Sequence, residues 1–248
     1  MLFRSVQNGQ LDFNTELTIG TAFELGLGGT ISGNSNAIFT SAFTWSGGTM
    51  QGGSGKVIFT NGSVVSINGP NNKFFNRSAD LYATATWSEG LLYSGGAALF
   101  TIKPGALFDI TGDLSAPYSG YVNYLTCINQ GTLRKSAGAG TASLTWVVNN
   151  SGSAGSLSGT LDILGGGNST GNFLAATGAV LNFGGLAQTL NAGANFSGGG
   201  LHRVQNGQLD FNTELTIGTA FELGLRSEER RVGKECLHTC ISRWSPYH

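Results

Sequence analysis

The apolar positions of this chain come in short runs closed by Gly, Asn or Ser, and they follow no helical period. Val57-Ile58-Phe59-Thr60 runs into Asn61-Gly62, and Val64-Val65-Ser66-Ile67 runs into Asn68-Gly69. Leu99-Phe100-Thr101-Ile102 leads to Pro104-Gly105, and Leu107-Phe108-Asp109-Ile110 follows. Leu144–Val148 ends at Asn149-Asn150, and Val180–Phe183 ends at Gly184-Gly185. Runs of this length, rich in β-branched and aromatic residues, predict strands. Gly reaches positive φ without steric cost and Asn tolerates it, so the segments between the runs predict tight corners.

One small pattern recurs. A glycine is followed by alternating apolar residues that end in Phe or Ile, starting at Gly9, Gly62, Gly105, Gly159, Gly178 and Gly207. A longer echo joins Thr44-Trp45-Ser46-Gly47 to Thr86-Trp87-Ser88-Glu89-Gly90, 42 residues apart at Trp. The spacings fit a unit of roughly twenty to thirty residues, which is the signature of a solenoid. Such a unit cannot bury its own apolar face and must stack on its neighbours. The expected fold is therefore all-β, a parallel β-helix (β-solenoid). Its core should include Ile58, Phe59, Leu107, Ile110, Leu161, Ile163, Leu181 and Phe183. A β-sandwich and a largely disordered chain are the competing readings. The abundant Phe, Trp, Leu and Ile weigh against disorder.

Composition changes the picture at the two ends. Residues 1–5 read MLFRS, and Arg226–Cys236 read RSEERRVGKEC. Both resemble translated sequencing-library adapters, which implies that 1–5 and 226–248 are non-native and that 6–225 is the repeat region. That region holds seven basic and eleven acidic residues, a net charge of −4 against −1 for the whole chain. A net-acidic body whose only basic pair is Arg134-Lys135 lacks the basic face that nucleic-acid binding requires. Val6–Leu27 returns unchanged as Val204–Leu225. Beside repeats that have drifted to a few shared positions, so perfect a copy points to a joining artefact, with a recent tandem duplication as the alternative. No run of 18 apolar residues occurs, so no membrane-spanning helix is expected, and no signal peptide follows Met1.

Candidate chemistry is sparse. His202 is the only His between 6 and 225, and a turn or surface position is expected for it. Cys127, in Tyr-Leu-Thr-Cys-Ile, reads as a small buried hydrophobe rather than a reactive thiol. Gly152-Ser153-Ala154-Gly155-Ser156 has the spacing of a nucleophile elbow, but it reads as a loop and lacks the helix that chemistry needs. Asp109 and Asp113 form a close acidic pair. Asp109 should face outward and Asp113 should sit at a turn, with Lys103 the only cation beside them in sequence. An enzyme acting on polysaccharide would need several carboxylates in one groove, with an aromatic such as Tyr93 or Tyr118 alongside. No catalytic, cofactor-binding or metal-ligating residue is assigned, and no cofactor is expected.

Between about 30 and 203 the chain resembles the passenger repeats of bacterial autotransporters and filamentous-haemagglutinin-like proteins. The resemblance rests on the Gly-x-Leu-x-Ile/Phe pattern, on Trp45-Ser46-Gly47-Gly48, and on Gly131-Thr132-Leu133-Arg134-Lys135-Ser136. It implies a secreted or cell-surface β-helical segment, structural or adhesive rather than enzymatic, with surface glycans or matrix proteins as partners. The alternative is a carbohydrate-active β-helix enzyme, a polysaccharide lyase or glycoside hydrolase.

Overall fold

The computed structural model describes residues 4–121 and 123–224. Among them are 31 strands and no helix, and every strand pairing is parallel. The chain winds into a stack of coils, each adding one strand to each of three faces in turn. Face one is a ten-stranded sheet running from Ser5–Val6 to Asn195–Ser197. Face two follows it along the chain and is split into a five-stranded sheet ending at Leu92–Ser94 and a six-stranded sheet beginning at Ser115–Ala116. Face three is a second ten-stranded sheet, from Leu17–Ile19 to Gln208–Phe211. The parallel β-solenoid expected from the sequence is the fold observed.

The register gives the length of each turn. Phe23 pairs with Phe43, 20 residues on; Phe108 pairs with Leu133, 25 on; Ala154 pairs with Phe173, 19 on. Trp45, Ile67 and Trp87 are successive partners in one column, so the 42-residue Trp echo is two coils. The glycine-led motif is not tied to one face. It opens face-one strands after Gly62 and Gly105, face-two strands after Gly9, Gly159 and Gly178, and a face-three strand after Gly207. Its irregular spacing follows, because it marks any corner that feeds a strand. Gly105 has φ 82°, the left-handed conformation such a corner uses.

Side chains alternate in and out with period two. Phe59, Ile110, Leu161, Ile163, Leu181 and Phe183 are buried as expected. Ile58 and Leu107 are not core residues; both are half-buried on the outside. Ile58 adjoins Phe59, and Leu107 lies three positions from Ile110, so neither can share the inward parity of its neighbour. Phe108 takes the inward place instead. In the first coils Phe23, Phe39, Phe43 and Phe59 interlock from two faces, with ring centroids 4.6–5.8 Å apart. Each such contact contributes roughly 0.5–1.5 kcal/mol beyond area burial. At the split in face two, the ladder narrows to an isolated Ser94–Tyr118 bridge. Trp146 fills the core there, packing on Phe100 and Phe108 and donating its indole N–H to Ser94 Oγ at 2.9 Å.

The identical blocks occupy different places. Gln10–Asp12 lies on face two, whereas Gln208–Phe211 lies on face three. Phe23–Leu25 lies on face one, whereas Ala220–Gly224 lies on face two. The second copy thus enters the coil one face later than the first. The counterpart of strand Leu17–Ile19 would fall on face one, and 215–217 forms no strand. Leu25 is fully buried but Leu223 is 67 % exposed; Phe13 is 2 % exposed but Phe211 is 48 %. Of the two adapter-like segments, only Arg4 and Ser5 are described. Ser5 pairs with Glu24, and the Arg4 carbonyl accepts from the Glu24 amide at 3.0 Å. Residues 226–248 lie outside the described residues.

Candidate functional site

The acidic pair singled out in the sequence is held by cations of the next coil. Asp109 points outward from its face-one strand, directly over Arg134, whose Nη2 donates to Asp109 Oδ2 at 2.8 Å. Asp113 sits at the following corner, where Lys135 Nζ lies 3.0 Å from Oδ1 and the Gly140 amide donates to Oδ2. The hydrogen bond from Lys135 is the main cause that holds the Asp113 carboxyl below the usual carboxylate range. Lys103, expected beside the pair, instead reaches Asp80 on face three at 3.5 Å, where Lys56 approaches the same carboxylate at 3.2 Å. Register explains the difference: the cation one coil on is a nearer neighbour than the one six residues back.

The Arg134-Lys135 pair is likewise split by strand parity. Arg134 faces out, while Lys135 is fully buried and donates to the carbonyls of Ala137, Gly138 and Ser158 at 2.6, 2.7 and 3.1 Å. Lys135 belongs to a column that includes Trp87, Ile110 and Ser156. Trp87 Nε1 donates to the carbonyls of Glu89 and Gly90, and Ser156 Oγ to those of Ser158 and Gly159. In all three coils the last residue of the face-one strand caps the carbonyls two and three positions on. Lys73 and Arg77 also cap corner carbonyls, but from other places in the coil. Lys73 Nζ donates to Gly69, Asn71 and Glu89, and the Arg77 guanidinium to Gly33, Ser35 and Gly52. Burial lowers the Lys73 ammonium to about 8 and moves Arg77 in the same direction. Lys73, Arg77 and Lys135 are thus internal corner plugs. The signal that could have found Lys135 is its parity with Leu133.

His202 is not at a turn or on the surface. It lies inward on face two, in the column of Leu161 and Leu181, and is fully buried. Its Nε2 lies 3.1 Å from the Phe173 carbonyl and its Nδ1 3.2 Å from Thr219 Oγ1. A carbonyl oxygen can only accept, so Nε2 is the donor in the Phe173 contact. Burial pushes its pKa down. Cys127 is buried on face three, and burial raises its thiol. Ser153–Ser156 is a face-one strand rather than a loop. Among the described residues no three His, Cys, Asp or Glu side chains gather as a metal site would require.

The aromatic candidates pack on other aromatic rings. Tyr93 is on face two, stacked on Phe74 of the previous coil at 5.2 Å and 17°. Tyr118 packs on Tyr124 at 4.7 Å. Phe74 also borders an open groove of about 510 Å³ at the corner between faces one and two. Thr30 and Thr49 line it from the two coils before, and Pro70, Asn71 and Asn72 from the corner that precedes Phe74. Its remaining lining is Leu27 and the backbone of Gly28, Gly29 and Gly48. Gly48 has φ 82°, and a Cβ there would run into the carbonyls of Gly29 and Gly26. Close coil stacking thus requires a bare backbone at this place. No lining residue carries a formal charge. No family model, no curated protein and no solved structure matches the chain.

Proposed function

We propose that this chain is a non-enzymatic structural or adhesive segment of a secreted or cell-surface bacterial protein, of the autotransporter and filamentous-haemagglutinin-like passenger kind. The observation that carries the reading is the chemistry of the outward columns. On face one, successive partners read Glu24, Thr44, Ser66, Thr86, Asp109, Arg134, Gly155, Leu174 and Ser197. Small uncharged groups predominate, and the one acid followed by a base forms an ion pair. Asp162 on face two accepts from the Asn182 amide at 2.8 Å, and Asp80 on face three is engaged by two lysines. These carboxylates are tied into the coil stack, which suits a rigid spacer better than acid–base work on a substrate. Ten coils at about 4.8 Å each give a rod on the order of 50 Å, and surface glycans or matrix proteins are the partners such a face suits.

The test pairs adhesion with turnover. Immobilised protein should retain cells, matrix proteins or glycans, and incubation with a panel of polysaccharides should release neither reducing ends nor unsaturated uronate products. Polysaccharide cleavage that disappears in the Asp109→Asn or Asp113→Asn variant would overturn the reading in favour of a carbohydrate-active enzyme.

A further inference from the structure

We propose that the groove beside Phe74 is a binding subsite for an uncharged oligosaccharide. The inference deepens the adhesive reading above and rests on it. Three features of the groove converge on that ligand class. The first is its aromatic wall. Tyr93 stacks on Phe74 from the next coil and is absent from the groove lining, where Phe74 stands beside Thr49 of the coil before. The parallel stack fixes the ring in place, so little side-chain freedom remains to be lost on binding. A fixed aromatic face is the surface on which the axial C–H groups of a pyranose pack.

The second feature is the polar complement. Thr30 and Thr49 supply hydroxyls, each both donor and acceptor, and Asn71 and Asn72 supply amides with two donors and an acceptor oxygen. Such groups match the adjacent hydroxyls of a sugar, which also donate and accept. The third is charge. The lining holds no Lys, Arg, Asp or Glu, so an anionic glycan would give up hydration without gaining a counter-charge. The one nearby cation, Lys73, is turned inward. From inside it grips the Gly69 and Asn71 carbonyls and so holds the Pro70–Asn72 corner in its groove-lining shape. The volume lies within the roughly 300–1,000 Å³ usual for small-ligand sites.

The experiment is isothermal titration of the full chain with tetrasaccharides of glucose, mannose and N-acetylglucosamine, run beside oligogalacturonate and a heparin tetrasaccharide. At least one uncharged tetrasaccharide should bind, with little dependence on salt. Phe74→Ala should weaken it at least tenfold, and Tyr93→Ala should weaken it less, through loss of the prop. Phe74→Trp should retain it. Leu107→Ala, outward on face one, should leave it unchanged. Phe74 is itself half-buried and outward, so its variants should keep the wild-type circular dichroism. Preference for the anionic sugars, or binding indifferent to Phe74→Ala, would overturn the subsite. Binding of a gelatin peptide in place of any sugar would do the same. Retained adhesion to cells without oligosaccharide binding sinks the subsite and leaves the adhesive reading standing; failure of both removes both.

Discussion

Leu25 and Leu223 occupy the same place in two identical stretches of sequence, and the fold gives them opposite surroundings. Leu25 is fully buried over Trp45 in the face-one column, whereas Leu223 is 67 % exposed at the last strand of face two. Leu→Ala at a buried site removes the transfer energy of the side chain and leaves a cavity, together about 2–5 kcal/mol. The same change on an exposed side chain stays within about 0.5 kcal/mol. In a solenoid, stability is carried by contacts between neighbouring coils, so the loss at Leu25 should be local. The assay is hydrogen exchange read by mass spectrometry on peptides covering Ala42–Trp45, the strand that pairs with Phe23–Leu25. A loss of about 3 kcal/mol corresponds to exchange faster by roughly a hundredfold. L25A should show that acceleration, and L223A should leave the peptides of its own partner strand, Leu201–Gln205, within about twofold of wild type. Equal effects from the two substitutions, or a larger one from L223A, would refute the one-face offset between the copies.

Three further outcomes are expected. Phe108→Ala should cost about 3–5 kcal/mol in urea unfolding and Leu107→Ala under about 1, since only the first side chain points inward. Lys135→Met should destabilise by about 3 kcal/mol, because three corner carbonyls lose their donor and Asp113 its counter-ion; a near-neutral result would show that the corner does not need the ammonium. Lys73 should add a pH signature. Its folded pKa, about 8, lies below the value of about 10.4 in an unfolded chain, so between the two the unfolded state holds the extra proton and stability rises with pH. Relative to Lys73→Met, the wild-type chain should gain up to about 1 kcal/mol per pH unit across that window, and a flat difference would contradict the burial of the ammonium.

The fold was legible because its two signals are local. Gly and Asn corners follow from φ, and period-two alternation follows from the pleat. The Trp45–Trp87 echo even carried the coil length, since both indoles occupy one column. Which of two adjacent apolar residues faces in was harder. At Ile58-Phe59 both are strong strand formers, and only the phase set by the neighbouring coils decides between them. Depth was missed wherever a polar residue took an inward slot. His202 sits below Leu181, and Lys135 below Ile110, so the register that buries them emerges only after stacking. The groove was the least legible feature. It is assembled from residues near 28, 48 and 71, on three successive coils, and no local pattern links them. The duplicated block states the same limit most directly: one sequence is buried in one frame and largely exposed in another.

The placement of the basic residues ties the fold to the proposed ligand chemistry. A tight corner turns peptide carbonyls toward the axis, where no sheet hydrogen bond can reach them, and a buried carbonyl without a donor costs about 1–3 kcal/mol. This chain meets that need from its own side chains: an indole at Trp87, a hydroxyl at Ser156, and cations at Lys73, Arg77 and Lys135. Three of the seven basic residues between 6 and 225 are therefore inside. Three more, Lys56, Lys103 and Arg134, lie against Asp80 or Asp109 across coil boundaries, and Arg203 donates to Asn182. Asp80, Asp109 and Asp113 each lie against a cation of a neighbouring coil. What the outer faces offer a partner is then hydroxyls, amides, a few stacked rings and scattered carboxylates, with no free cluster of cations among the described residues. Association through such a face should depend on shape and hydrogen bonding rather than on long-range attraction. Binding of any partner to the intact chain should accordingly change by less than about threefold between 50 and 500 mM salt, whereas a partner held by several phosphates or sulfates would lose orders of magnitude. A steep salt dependence would refute that expectation.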